Sequence, residues 1–280
     1  MSSRAWVLTG AAVAVGLSLH GLLSLASASP VISVKQDLPS AALQRQMVSV
    51  LIRERGGTQL GSGVVVGSLP GGYWVATNQH VVQGQSTVCI VAADRKTRAG
   101  LVWPKTNMQA NEDLDLALIW LPHTSKDPLL VASIRRTKSD TGQLPLVIAT
   151  GYPTSLQPQL NGPTYTESPG LLVALLQNPL QGGFDLTYTA EVVKGMSGGG
   201  VFEGIELVGI NGAHANPLWP GQWNGQDGKA VEDALQQKLE RVSIGISSDR
   251  IQKLLKTAPS QSIEFQTQTT EKKSCDPYNL

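Results

Sequence analysis

Residues 72–82 read Gly-Tyr-Trp-Val-Ala-Thr-Asn-Gln-His-Val-Val, and the class of fold is decided by this stretch. Its first six residues are rich in aromatic and β-branched side chains, the composition of a short strand rather than a helix. Pro70-Gly71-Gly72 breaks the chain before it, and polar Asn78-Gln79-His80 ends it. Runs of the same kind stand on both sides. QMVSVLIR (46–53) and QLGSGVVVG (59–67) precede it; STVCIVA (86–92), RAGLVW (98–103) and LDLALIWL (114–121) follow. A polar, proline-flanked linker, 122–128, then interrupts the pattern. Beyond it come LLVAS (129–133), LPLVIATGY (144–152), GLLVALLQ (170–177), FDLTYTA (184–190), GGGVF (198–202), IELVGI (205–210) and VSIGI (242–246). Two groups of short strands predict an all-β protein, as two barrels or a pair of sandwiches. Helical periodicity is confined to residues 231–240 and 249–256, with Ser248 or Asp249 placed to cap the second.

Composition narrows the function. Charged residues are 15% of the 280, and 22 Lys+Arg oppose 21 Asp+Glu. A near-neutral chain without a basic stripe argues against nucleic acid as a partner. Residues 5–25 are uncharged, follow Arg4 and lead into Ala26-Ser27-Ala28. A positive start, an apolar run and a small-x-small exit predict a signal peptide over residues 1–28, cleaved after Ala28, and hence export to a periplasm or the medium. Left uncleaved, the same segment is long enough to anchor the chain in a membrane. Loss of Arg4 with the leader leaves 21 charges against 21. From Thr257 the chain is a polar tail that contains Cys275. A Cys89–Cys275 bridge is open to an exported chain, but spacing gives no distance, and two independent thiols are the simpler expectation.

The chemistry centres on Gly195-Met196-Ser197-Gly198-Gly199. A Gly-x-Ser-x-Gly can be the nucleophile elbow of an α/β-hydrolase, which needs a helix after the serine, then an acid and a histidine. Here Gly198-Gly199-Gly200 follows, and only Glu203 and Glu206 stand between Ser197 and His214, so that reading fails. The other order, histidine then aspartate then serine, is met by Asn78-Gln79-His80-Val81-Val82 and by Asp115-Leu116-Ala117-Leu118-Ile119 upstream. Asp113, on the same strand face two residues earlier, competes with Asp115. A serine hydroxyl needs a base to take its proton as it attacks, an imidazole is such a base near neutral pH, and a carboxylate fixes the imidazole tautomer. His123, in the linker, reads as a solvated loop residue.

These three segments, in this order, resemble the trypsin/chymotrypsin-like serine peptidases, and most closely the bacterial secreted, Deg-like branch. Gly61-Ser62-Gly63-Val64-Val65-Val66 resembles that branch's opening strand and Ser243-Ile244-Gly245-Ile246 its closing strand, so the likeness runs over about residues 45–256. It implies two six-stranded antiparallel β-barrels with the active site in the cleft between them and a short C-terminal helix. It implies a triad of His80, Asp115 and Ser197, with the backbone N–H groups of Gly195 and Ser197 as the oxyanion hole. No metal or cofactor is implied, and peptides or proteins are the substrates. The organisation expected is a signal peptide (1–28), an N-terminal extension (29–45), a first lobe (46–122) with His80 and Asp115, a second lobe (123–256) with Ser197, and a tail (257–280). With only 24 residues after Lys256, the peptide-binding module of Deg-type members is not expected.

The chain departs from the family at three places. Met196 stands where zymogen-activated members carry an aspartate that pairs with a new N-terminus, so activation by N-terminal insertion is not expected. Gly212 replaces a serine that helps hold the triad aspartate, leaving Asp115 to backbone N–H groups or water. In the specificity pocket the resemblance points to Glu191, Val192, Asn211, Gly212 and Ala213. Glutamate-specific relatives carry a histidine at Asn211, and alternation turns His214 to the other face. An inward Glu191 would favour Arg or Lys. A lone buried carboxylate is costly, so Glu191 is expected to point outward, leaving a neutral pocket for small or medium uncharged side chains. The reading is a secreted serine endopeptidase; the alternative is a catalytically silent relative that holds peptides in the same cleft.

Overall fold

The computed structural model describes residues 39–103, 114–123, 128–136, 144–154, 163–213, 221–259 and Cys275. The expected signal peptide, Asp113, His214 and the tail apart from Cys275 lie outside the described residues.

The described chain opens with helix α1 (Ala41–Val48), capped by Ser40, whose hydroxyl accepts the Leu43 N–H at 3.2 Å. Six strands follow: β1 (Ser49–Arg53), β2 (Gln59–Leu69), β3 (Gly72–Thr77), β4 (Thr87–Val91), β5 (Thr97–Trp103) and β6 (Ala117–Pro122). They pair antiparallel in the order β1-β2-β3-β6-β5-β4, and β4 returns to β1 to close a barrel. Then come β7 (Ser133–Ile134), β8 (Leu146–Gly151), β9 (Thr166–Leu175), β10 (Leu186–Tyr188), β11 (Gly200–Glu203), β12 (Glu206–Ala213), helix α2 (Asp233–Leu239), β13 (Ser243–Ser247) and helix α3 (Ser248–Thr257). A second antiparallel barrel runs β8-β9-β10-β13-β12-β11 and closes through β11 on β8, with β7 added in parallel along β12. These are the two six-stranded barrels and the C-terminal helix that the sequence leads one to expect.

The central strands read as near-continuous apolar runs because both of their faces are covered. Val65, Val75 and Ile119 point into the first barrel, against Val50, Ile52 and Ile90. Their neighbours Val64, Val66, Trp74, Ala76, Leu118 and Trp120 point outward and meet Phe202, Leu207, Ile210 and Ile246 of the second barrel and Ile251 of α3. Trp74 packs edge-on against Trp120 with ring centroids 5.1 Å apart. Each fully buried side chain of this size contributes about 1.5–3 kcal/mol, so this shared core binds the two barrels together. The second barrel has its own interior around Val147, Leu172, Leu186, Tyr188, Met196 and Val208.

Four expectations change. Gln46, Met47 and Val48 are the end of α1, not the start of a strand. That helix is stabilised by a distant partner: Arg45 donates from Nε and Nη2 to both carboxylate oxygens of Glu167, 2.9 and 2.8 Å, across 122 residues. Of LLVAS, only Ser133 pairs, with Ile134, in β7. Leu129 and Val131 pack on the first barrel's core, and the Ala132 N–H donates to Val65, so the linker runs along the first lobe. The N-cap position of α3 is Ser247 rather than Ser248 or Asp249; its hydroxyl does not cap the helix but donates to Asp185, which also accepts the Ser247 N–H and Arg250 Nε. Finally, Cys89 and Cys275 form a disulfide rather than standing as independent thiols, with Cα atoms 5.6 Å apart. Closing a loop of 186 residues constrains the unfolded chain by about 5 kcal/mol in the chain-entropy description. No helix among the described residues is long and apolar enough to cross a membrane.

Candidate active site

His80 opens a short 3-10 turn, His80–Val82, directly after β3. Val81 and Val82 anchor that turn in the first barrel's core, which leaves the imidazole half exposed. Asp115 lies just before β6, with Leu116 buried beside it. Its carboxylate holds His80 at two points: Oδ1 accepts the His80 backbone N–H at 2.8 Å, and Oδ2 meets Nδ1 at 2.7 Å. An ionised carboxylate only accepts, so Nδ1 carries the proton and Nε2 is left as a free base. The loss of a serine at Gly212 is thus compensated by backbone. A Cβ on Gly212 would lie 2.8 Å from Phe184 Cδ1, so the Phe184 ring fills the place of a side chain there. Asp115 is held further by its own backbone. Its N–H donates to Gly182 at 2.8 Å, and its carbonyl accepts Asn78 Nδ2 at 3.0 Å.

Ser197 sits in the loop between β10 and β11. A trans peptide is planar with its C=O and N–H opposed, so pinning a carbonyl aims the N–H of the same unit the other way. The Lys194 carbonyl accepts the Thr154 N–H at 2.8 Å, which turns the Gly195 N–H outward. The Met196 carbonyl accepts the Gly199 N–H at 2.9 Å and Asn211 Nδ2 at 3.1 Å, which turns the Ser197 N–H outward. Neither N–H donates to an acceptor among the described residues. The unit between them, Gly195–Met196, is tied at both ends: Ser62 Oγ donates to its carbonyl at 2.7 Å, and its N–H donates to Val193 at 3.0 Å. Glycine is required at two of these positions. Gly195 has φ +95°, and a Cβ there would stand 2.5 Å from Thr154 N. Gly198 has φ +79°, where a Cβ would lie 3.1 Å from Asn78 N and closer still to Ser62 O. The loop therefore lies against the segment that carries His80. Among the described residues the Ser197 hydroxyl makes one hydrogen bond, a long one of 3.4 Å to the Gly212 carbonyl.

Two outward N–H groups beside a serine, with a carboxylate-held histidine on the adjoining segment, are the parts of an acyl-transfer site. The sequence agrees. Residues 61–210, just over half of the chain, match the trypsin-like peptidase domain family. The chain belongs to that family. No curated protein matches the sequence. The matched span of this trypsin-like peptidase domain contains His80, Asp115, Gly195 and Ser197.

The expected pocket residues separate. Glu191 is exposed. Val192, in contrast, is 3% exposed and belongs to the second barrel's interior. Asn211 is fully buried, and its side chain is committed to Thr150 O, Met196 O and the Tyr188 hydroxyl. Burial pushes the Tyr188 pKa up, which keeps that hydroxyl a donor. Both side chains are corrections: they pack against or bond to the loop that carries Ser197 instead of lining a pocket. The pocket expectation rested on the family resemblance; a register shift between Asn211 and Ala213 interrupts the alternation used for His214, which itself lies outside the described residues. Gly212 offers its carbonyl to Ser197, and Ala213 pairs with Ile244 at the end of β12. Met196, where an ion-pairing aspartate stands in zymogens, is 1% exposed in the barrel core. His123 stacks edge-on with Tyr73, centroids 5.2 Å apart, rather than standing free in solvent. Among the described residues no group of three His, Cys, Asp or Glu side chains is placed to hold a metal. Three supporting residues were not anticipated: Ser62, Asn78 and Gly182. Ser62 and Asn78 lie inside the motifs already quoted, which was the available signal; nothing local marks Gly182.

Proposed function

We propose that this trypsin-like peptidase domain is an exported serine endopeptidase of the bacterial, Deg-like kind. The observation that carries the reading is the pair of outward N–H groups at Gly195 and Ser197 beside the Asp115-held His80. In this mechanism Ser197 Oγ attacks the scissile carbonyl carbon while His80 Nε2 takes its proton. Asp115 stabilises the imidazolium, and the oxyanion lies between the two N–H groups. Collapse breaks the C–N bond as His80 returns the proton to the leaving amine. Water, activated by His80, then hydrolyses the acyl-enzyme. A fluorophosphonate should form one adduct, at Ser197. A folded protein that gives no adduct and cuts no peptide overturns the reading in favour of a silent peptide-binding relative.

Export is supported by the leader-like residues 1–28 and by the Cys89–Cys275 bridge, since such bonds persist in oxidising compartments. Secreted material should begin at Ser29. For specificity, we propose a neutral pocket bordered by Gly212, with the exposed Glu191 turned away from it, and so cleavage after small or medium uncharged residues. Strong cleavage after Arg or Lys, abolished by Glu191→Gln, would sink that preference.

A further inference from the structure

Ser62 belongs to the first barrel, on β2, yet its contacts are with the nucleophile loop of the second. It is fully buried, and every polar atom it has is engaged. Its N–H donates to the Ser197 carbonyl at 2.8 Å. Its hydroxyl donates to the Gly195 carbonyl at 2.7 Å and accepts the Tyr152 N–H at 2.9 Å. Its own carbonyl accepts the Thr77 hydroxyl at 2.8 Å. A hydroxyl buried this deeply is costly unless it is satisfied, and here it is satisfied by one specific carbonyl. That carbonyl belongs to the peptide unit joining the two oxyanion donors.

We propose that Ser62 is the positioning residue of the oxyanion hole, a bond across the barrel interface that holds the Gly195–Met196 peptide plane so that both flanking N–H groups converge. Gly195, at φ +95°, is the flexible point of the loop. Without the Ser62 hydroxyl the unit keeps only the Met196 N–H bond to Val193, and its carbonyl end loses the side-chain donor that fixes the plane. Because the middle unit shares its Cα atoms with both donor units, a swing of its carbonyl end shifts the two N–H groups relative to each other, although no donor has been deleted and the carbonyl ties at Lys194 and Met196 remain. The backbone bond from Ser62 N–H to Ser197 is retained in Ser62→Ala and Ser62→Cys, so the loop stays docked. This assignment rests on the peptidase reading.

The test uses the full-length protein with Ser62→Ala and Ser62→Cys, all rates being normalised to sites titrated by fluorophosphonate. Deleting one oxyanion donor outright costs about 10²–10³ in rate. Disordering the pair should cost somewhat less, so Ser62→Ala is expected to lower kcat by roughly 10- to 100-fold with KM unchanged. Affinity for a peptide aldehyde, whose hemiacetal oxygen needs the hole, should fall by the same factor. Affinity for a product peptide and the pH profile of kcat/KM should not move. The weak thiol donor of Ser62→Cys should give an intermediate value, and it serves as the test variant if Ser62→Ala does not fold. A kcat near that of the wild type, or a loss of kcat without loss of aldehyde affinity, overturns the role of Ser62 while leaving the peptidase reading intact. A wild type inert to fluorophosphonate overturns that reading, and the role of Ser62 with it.

Discussion

Around Ser197, four consecutive peptide units have their carbonyls taken up: Lys194 by Thr154, Gly195 by Ser62, Met196 by Gly199 and Asn211, and Ser197 by Ser62. Around His80 the ties are fewer. One carboxylate holds the residue at two points, and nearly half of the side chain is open to solvent. On the proposed peptidase reading, the difference follows from the task of each half. An oxyanion hole works by being in place before charge develops, so every unit that could turn is fixed. A general base must receive a proton, pass it on and admit water for deacylation, so its ring needs access and a single orienting partner.

The sharpest way to break the comparison is to remove the nucleophile itself. Ser197→Ala should lower kcat by about 10⁶ and leave about 10³–10⁴ over the uncatalysed rate, because the fixed N–H groups remain. Steady-state kinetics on a peptide substrate checks this. A variant with no residual catalysis would mean that the preorganised half contributes nothing without the serine. Next in size, Asp115→Asn should cost about 10⁴ in kcat with the fold retained, since an amide leaves the wrong tautomer facing Ser197. Asp113→Asn should change little. The reverse ranking would move the orienting role to Asp113.

The parts legible in the sequence are those that depend on residue type and order. The pairing of His80 with Asp115 was expected from their segments and their order, and the strands announce themselves by short apolar runs between glycines and prolines. What was not legible depends on pairing at a distance. Helix α1 hides within an alternating run because its stabiliser, Glu167, lies 122 residues away. The partner of Cys89 lies 186 residues away. Ser62 reads as one polar residue in a strand until the second barrel supplies the Gly195 carbonyl. The inward commitment of Asn211 shows only once Thr150, Met196 and Tyr188, all distant in sequence, are brought around it.

The remaining predictions separate the site from the scaffold that carries it. Cys89→Ser should leave kcat per titrated site unchanged, because the bridge ties the tail to β4 and touches neither half of the site. Its effect falls on stability. A loss of about 3 kcal/mol or more is expected, a fall in Tm of about 10 °C, measured by thermal denaturation without reductant. Lost activity at unchanged Tm would place the bridge in the catalytic apparatus instead.

The smallest effect is expected at Arg45 and Glu167, where α1 meets the second barrel. Their side chains are 9% and 23% exposed, and the pair is bidentate, with the Tyr165 hydroxyl also donating to Glu167 at 2.8 Å. Burial alone would raise the Glu167 pKa, but the hydrogen bonds from Arg45 and Tyr165 outweigh it and hold the carboxyl below its usual value of 4.5. A carboxylate whose pKa is depressed by folding stabilises the native state above its unfolded pKa, and that contribution is lost as pH falls through the lower folded value. Glu167→Gln keeps the shape, removes the charge and leaves the guanidinium short of a partner, at a cost of about 2 kcal/mol or about 4–8 °C in Tm at neutral pH. The gap between wild type and variant should therefore be widest above pH ~4.5 and narrow on acidification, as the wild type protonates and loses what the variant already lacks. Thermal melts of both proteins across that range measure it. A gap that stays constant with pH would show that the pair acts by packing alone, and a change in kcat per titrated site would show that α1 is coupled to the nucleophile loop after all.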